Sequence, residues 1–467
     1  MLREASWLYQ HRGTYAGLEH YLRLATDCEP EIMENVDGAF SFRVILHTGG
    51  KPIDERMVES IIEFNRPAHT VYTLEIDTSK PPEPPPTEAE PLVIGGAFPL
   101  TGVYSAEAAT QKEGAILAVE EQNAAGGVLG RPIEFVIRDT ELKAEVALRR
   151  IEELVTTHKA QAIVGILHGG IEYAVNDWCK KRHIPFFHAC VIMPGAAAKD
   201  VVGPGTFGPI LSTETAYVVA DVAMTDLGWN TFYSIYADYS YGIEQDEDFT
   251  KWVEDHGGQV VGHAAAAVGT VEFGPFLSKA VASGADALFM VNFGGDQVNG
   301  LKGIDAYGIK EKMGVVIPVT TMTIAKAAGA KATEGVYLGT QYYWEVDTPA
   351  AKAFYEAYNS RWGYPPDAYA NNAYIAAKEL FRGIEGAGSL VAEDIGTYLD
   401  ANPDYTGTLG PERWAIYHAP IRDVVVVRGK APEDITGEWD IFEIVALKGY
   451  EPDDPWKYMP TPEELGY

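Results

Sequence analysis

From Leu92 onward, short apolar runs alternate with helix-length amphipathic stretches, and no other feature of the sequence restricts the fold as much. Leu92-Val-Ile-Gly95 precedes a helical pattern around Lys112–Gln122, and Ile133–Ile137 precedes one at Ala144–His158. Ala162–Gly165 leads to a pattern near Ala174–Arg182, and Pro185–Phe187 follows it. Thr231–Tyr236 comes before a pattern over Ile243–His256; Gln259–His263, Ala287–Val291 and Gly314–Ile317 continue the alternation. Repeated βα units give parallel sheets covered by helices on both faces. About 350 residues of this are too many for one sheet, so two α/β lobes are expected. Ligands in such sheets bind beyond the carboxyl ends of the strands, so the loops that follow strands are where function is sought.

The alternation does not reach the N-terminus. Residues 78–91 read TSKPPEPPPTEAEP, a stretch of prolines and mutually repelling glutamates that suits an extended spacer. It separates a small unit, residues 1–77, from the large one. In the small unit Leu8, Tyr9, Leu18, Leu22 and Leu24 have helical spacing, interrupted at Gly13. Phe40–Leu46 and Thr70–Ile76 alternate like strands. Between them Asp54 caps a helix with Met57, Ile61 and Ile62 on its inner face, and Arg66-Pro67 stops it. This predicts a small α+β module without a catalytic set.

Charge narrows the choice of partner. With 67 Asp and Glu against 36 Lys and Arg, the formal net charge is −31. Nucleic acid and anionic membrane surfaces call for a basic face, so neither is expected. No window of some eighteen apolar residues is present, which argues against membrane insertion. The opening MLREASWLYQHRGTYAG has no basic stretch before an apolar run and no small-residue cleavage site, so no signal peptide is expected. On that reading the chain stays in the cytoplasm, or on a particle, unless other machinery exports it. Cys28, Cys179 and Cys190 are too few for a disulfide framework; Cys179 and Cys190 are free to pair, but buried thiols are the expectation.

Motifs for chemistry are missing. The sequence has no GxxxxGK[ST], no GxGxxG after a strand, no GxSxG and no HExxH. His168, His183 and His188 fall on different predicted elements, without metal spacing. No cofactor is expected, and the chain reads as a binding module rather than an enzyme.

Five stretches carry a family resemblance: Ile94–Gly102 (IGGAFPLTG), Ala118–Pro132 (AVEEQNAAGGVLGRP), Ala237–Gly242 (ADYSYG), Asn292–Asn299 (NFGGDQVN) and Tyr342–Pro349 (YYWEVDTP). In that order and spacing, residues 92 to about 445 resemble the type I periplasmic ligand-binding proteins of the branched-chain amino acid and amide class, the solute receptors of ABC transporters. The resemblance implies two Rossmann-like lobes joined by three crossovers and closing on a ligand in the cleft. Lobe one would hold 92–211 and 342–413, lobe two 212–341 and 414–447, with 448–467 as a C-terminal tail. Residues 1–77 resemble the tail-protein-I-type domain of phage tails and contractile tail-like particles. The carriers are Leu8–Thr14, Gly17–Leu22 and Asn65–Leu74.

Site residues follow partly from position and partly from the first resemblance. Asp238-Tyr239-Ser240-Tyr241-Gly242 comes after a strand. Asp238 or Ser240 would cap the next helix, and Tyr241 falls at the family's ligand-covering tyrosine, with Tyr239 beside it. Asp296 either caps a helix beginning near Gln297 or, as the resemblance implies, pairs with a ligand amine. In lobe one Thr101 ends the first loop and Tyr104 follows. The carboxylate-holding positions fall on His168-Gly169-Gly170 and on Ala189–Ile192, which includes Cys190. Amino-acid binders use Ser and Thr there. Gly169 and Gly170 still offer amides at a helix N-terminus, and His168 adds a donor. Of Tyr342, Tyr343 and Trp344, at least one is expected to face the cleft, because adjacent strand residues alternate. The leading reading is a non-catalytic solute-binding protein that closes two lobes on a small polar molecule (an amino acid, an amide or a small aromatic solute), with an ABC permease as partner. The second is a structural or receptor component of a tail-like particle, with baseplate proteins as partners.

Overall fold

The computed structural model describes residues 11–35, 40–67, 69–78 and 90–467. The helical spacing at Leu8 and Tyr9 and positions 79–89 of the spacer lie outside the described residues. Contacts divide the chain into two units, Met1–Glu88 and Ala89–Tyr467.

In the first unit, β1 (Glu29–Glu34) pairs antiparallel with β2 (Ser41–His47), and β2 pairs parallel with β3 (Val71–Asp77). Two helices, Tyr15–Thr26 and Glu55–Asn65, supply Leu18, Leu22, Val58, Ile61 and Ile62 to a core shared with Val44 and Leu46. Asp54 caps the second helix by accepting from the amides of Arg56 and Met57. Met57 itself is exposed, and Val58 takes the inner position assigned to it, because the buried stripe begins one residue later. The strand β1 has no apolar alternation strong enough to announce it.

The second unit contains two lobes. In lobe one the sheet order is β5-β4-β6-β7-β8, every pair parallel: Ile133–Asp139, Leu92–Phe98, Ala162–Gly165, Phe186–His188 and Thr206–Phe207. Helices Ser105–Ala124, Ala144–Thr156, Gly169–Lys180 and Ala368–Ala387 cover it. The first and last of these approach so closely at Gly114 that an added Cβ would overlap the Ala370 carbonyl. Lobe two runs β10-β9-β11-β12-β13-β17-β18. Strands Gln259–Ala266, Thr231–Ala237, Ala287–Val291, Gly314–Ile317 and Tyr337–Thr340 are parallel. The last two strands, β17 (Val424–Gly429) and β18 (Phe442–Lys448), are antiparallel. The expectation of wholly parallel sheets therefore fails at this edge. The chain reaches β17 from lobe one and enters beside β13 in the opposite direction, and β18 then follows β17 as a hairpin, which needs no crossover helix. A further small antiparallel sheet, β14-β15-β16, spans Asp404–Ile421.

Three connections join the lobes: 208–211, 341–348 and 415–423. Arg422, fully buried, ties them together. Its guanidinium donates to the carbonyls of Pro209 and Gln341, and its own amide donates to Glu214. Among the described residues no helix is long and apolar enough to cross a membrane, and no His, Cys, Asp and Glu cluster is placed to hold a metal ion. All three cysteines are free and buried.

Candidate ligand-binding site

A cavity opens where the carboxyl ends of the two sheets face each other. Lobe one contributes Tyr104 from the loop after β4, Leu167, His168 and Gly169 after β6, and Cys190, Val191 and Met193 after β7. Tyr369, at the start of helix Ala368–Ala387, completes that wall. Lobe two contributes Tyr239 and Tyr241 after β9, Phe293 after β11 and Val319 after β12. The water-accessible space between these walls is about 30 Å³, room for roughly one water molecule, so the two walls stand closed on each other and a solute enters only by parting them.

Aromatic pairs cross from lobe to lobe. His168 stacks on Tyr239 with centroids 5.5 Å apart, Tyr104 meets Phe293 edge-on at 5.4 Å, and Phe293 touches Tyr369 at 5.8 Å. The first two geometries, stacked and edge-on, are ones that ring quadrupoles favour; the third pair is tilted at 51°.

The lining carries no charged side chain. Its polar groups are phenols, one imidazole, one thiol and one helix terminus. Burial holds the hydroxyls of Tyr239, Tyr241 and Tyr369 above their usual range, so each remains a neutral donor. Burial also lowers His168, leaving a neutral imidazole whose Nδ1 accepts from the Gly170 amide at 3.1 Å. The Cys190 thiol is pushed up to about 12 by burial and sits 3.8 Å from both Tyr369 Oη and the Leu167 carbonyl. It is a protonated packing group, and the site has no nucleophile paired with a base. Gly169 opens helix Gly169–Lys180, and first-turn amides have no intrahelical acceptor. The Tyr241 hydroxyl is buried without a protein partner.

Of the ten residues singled out from the sequence, this cavity gathers six: Tyr104, His168, Gly169, Cys190, Tyr239 and Tyr241. The other four lie elsewhere. Thr101 is exposed and donates to Asp139 at 2.7 Å. Gly170 is behind the lining, its amide given to His168. Asp296 accepts from the Gly269 amide at 2.9 Å, at the third position of a helix that starts at Gly294 rather than near Gln297. Tyr342 is buried against Phe354, its hydroxyl donating to the Ala351 carbonyl. Neither Tyr343 nor Trp344 reaches the cleft; both donate to the Trp439 carbonyl. Strand β13 ends at Thr340, so the alternation expected of this aromatic run does not apply. The helix after β9 is capped by no side chain, neither Asp238 nor Ser240. Leu167, Met193, Phe293, Val319 and Tyr369 were not anticipated. Phe293 and Val319 follow strands and were open to the same positional reasoning. Tyr369 comes from a distant helix with no local signal.

Two α/β sheets that face each other across a cavity, joined by three short connections, define a bilobal ligand-binding protein of the type I class. The periplasmic binding protein family model matches residues 91–434, and the chain belongs to that family of non-catalytic binding proteins. The leucine-, isoleucine-, valine-, threonine- and alanine-binding protein of Pseudomonas aeruginosa is 24% identical over 336 residues, covering 69% of this chain and 86% of the relative. A solved amino acid ABC transporter substrate-binding protein from Pseudomonas fluorescens superposes with a TM-score of 0.72 at 26% identity, covering 80% of this chain and all of that one. An ABC transporter solute-binding protein from R. palustris, solved in complex with benzoate, superposes with a TM-score of 0.66 at 20% identity, covering 76% and 96%.

Proposed function

We propose that this protein is the solute receptor of an ABC permease and that its cleft closes on a small aromatic or apolar carboxylic acid. One observation carries this reading: the cavity is lined by rings and aliphatic groups and contains no carboxylate. An α-amino acid would bury its ammonium without a counter-charge, which is costly. A lone carboxylate needs only neutral donors, and the Gly169 helix terminus, His168 and the tyrosine hydroxyls supply them. Benzoate in the R. palustris protein is consistent with this chemistry. Calorimetric titration of residues 90–467 with benzoate, 4-hydroxybenzoate, leucine and isoleucine tests it. The aromatic acids should bind; leucine binding more tightly than either would overturn the assignment.

The small N-terminal unit lies ahead of the residues the family model matches. Its resemblance to tail-protein-I-type domains rests on the sequence stretches Leu8–Thr14, Gly17–Leu22 and Asn65–Leu74 and favours a second reading, a structural or receptor component of a tail-like particle. Gene neighbourhood separates the two. Permease and ATPase genes alongside support uptake; baseplate and sheath genes support the particle.

A further inference from the structure

Beyond β18 the chain does not trail away. Residues 449–467 fold into turns that run from lobe two, past the third connection, to lobe one. On lobe two Tyr458 is 1% exposed, stacks on Trp252 and donates to Asp221 Oδ2 at 3.0 Å. Lys251 lies 3.6 Å from Glu464. Beside the connection, the Tyr417 hydroxyl donates to the Pro460 carbonyl at 3.1 Å. On lobe one the Lys199 amide donates to the Leu465 carbonyl, and the Tyr467 hydroxyl donates to the Ala197 carbonyl, both at 3.1 Å. Ala197 and Lys199 lie just beyond Met193, which lines the cavity. Between the two anchorages, Thr461 and Glu464 lock a turn: Glu464 accepts from the Thr461 amide at 2.8 Å, and the Glu464 amide donates back to the Thr461 carbonyl. The segment therefore has little slack.

We propose that residues 449–467 form a tether that joins the lobes outside the three chain crossovers and holds the ligand-free cleft closed. The segment lies beyond residue 434, where the family model ends. Hinge opening separates Lys199 from Lys251, and a turn-locked segment anchored at both cannot follow both. One set of contacts has to break, and its free energy is added to the cost of opening.

The test uses the full chain with spin labels at Glu152→Cys and Lys279→Cys, one exposed position on each lobe. The native cysteines are buried. A protease site inserted between Pro460 and Thr461, between the Tyr458 anchorage on lobe two and the Leu465 and Tyr467 anchorages on lobe one, lets the tether be cut after folding. Pulsed electron paramagnetic resonance then reads the interlobe distance without ligand. Before cutting, one short separation should dominate. After cutting, the open-to-closed ratio should rise about ten-fold or more, as expected for the loss of two hydrogen bonds. Tyr467→Phe, which needs no cutting, should move the ratio the same way by a smaller factor. An unchanged distribution after cutting, or a long separation already dominant in the intact protein, would overturn the proposal. Because no solute is added, the result is independent of whether aromatic acids bind.

Discussion

Arg422 Nη2 donates to the backbone carbonyl of Gln341 at 3.0 Å, with both residues sealed from solvent. Nη1 donates to the Pro209 carbonyl at 3.1 Å, and Glu412 lies 3.8 Å from Nε. One side chain thus fixes the relative placement of all three connections. Arg422→Met should destabilise the second unit by about 3–5 kcal/mol, because it strands the buried Glu412 carboxyl and two carbonyls, while the backbone amide that serves Glu214 is kept. Arg422→Lys should recover only part of that, since one ammonium cannot reproduce the planar fork. Denaturant unfolding measures both. A loss below about 1 kcal/mol for the methionine variant would contradict this role.

Tyr241 provides a cleaner probe of the cavity. Its hydroxyl has no protein partner to lose, so Tyr241→Phe should leave Tm unchanged or slightly raised. If the hydroxyl serves the solute, affinity for an aromatic acid should drop roughly three- to ten-fold. Titration and thermal melts on the same preparation separate the two effects, and equal affinity would assign the hydroxyl to a buried water instead.

Asp296→Asn distinguishes the ligand classes. The side chain holds the Gly269 amide and stands outside the lining. Asparagine keeps an acceptor there, so binding of an aromatic acid should change less than about two-fold. A loss of thirty-fold or so would instead reveal an ammonium partner.

Acidity should stabilise this protein. Burial lifts the carboxyls of Glu107, Glu244 and Asp248 to about 7 and that of Asp367 to about 6. Folded-state values above the unfolded ones mean that the native protein holds extra protons between about pH 4.5 and 7. Stability is therefore greatest towards the lower end of that window and falls as pH rises through 7. Glu107→Gln removes one such group, and a displacement of even one pH unit is worth about 1.4 kcal/mol. Melting curves from pH 5 to 8 should slope downward for the wild type and less steeply for the variant. An upward slope for the wild type would refute this.

The sequence revealed most where one physical signal acted alone. Eight of the ten parallel strands are short apolar runs with nowhere to lie except between helices, and their positions could be read within three residues; Thr206–Phe207 and Tyr337–Thr340, at one end of each parallel run, give no such signal. Tyr239 and Tyr241 line the cavity because they follow β9, and strand ends are where such sheets present ligands. Direction was not legible. Val424–Val427 reads as a buried strand whichever way it runs, and only its pairing with β13 shows that it is antiparallel. Composition also cannot say which of several adjacent aromatics turns inward once a strand has ended, as Tyr342, Tyr343 and Trp344 demonstrate. Tyr369 stands 265 residues from Tyr104 in sequence, and only the close packing of their two helices, permitted by Gly114, brings them to the same wall.

Consider again the rings that meet across the cleft, His168 on Tyr239 and Tyr104 on Phe293. A mouth whose lips already cling together selects by displacement. An entering solute must replace the contacts it pries apart, and on the proposed reading a flat, polarisable body of ring size gives back most of what it removes. Small hydrophilic metabolites would then be disfavoured without any dedicated repulsive group, since they offer the parted rings little in exchange.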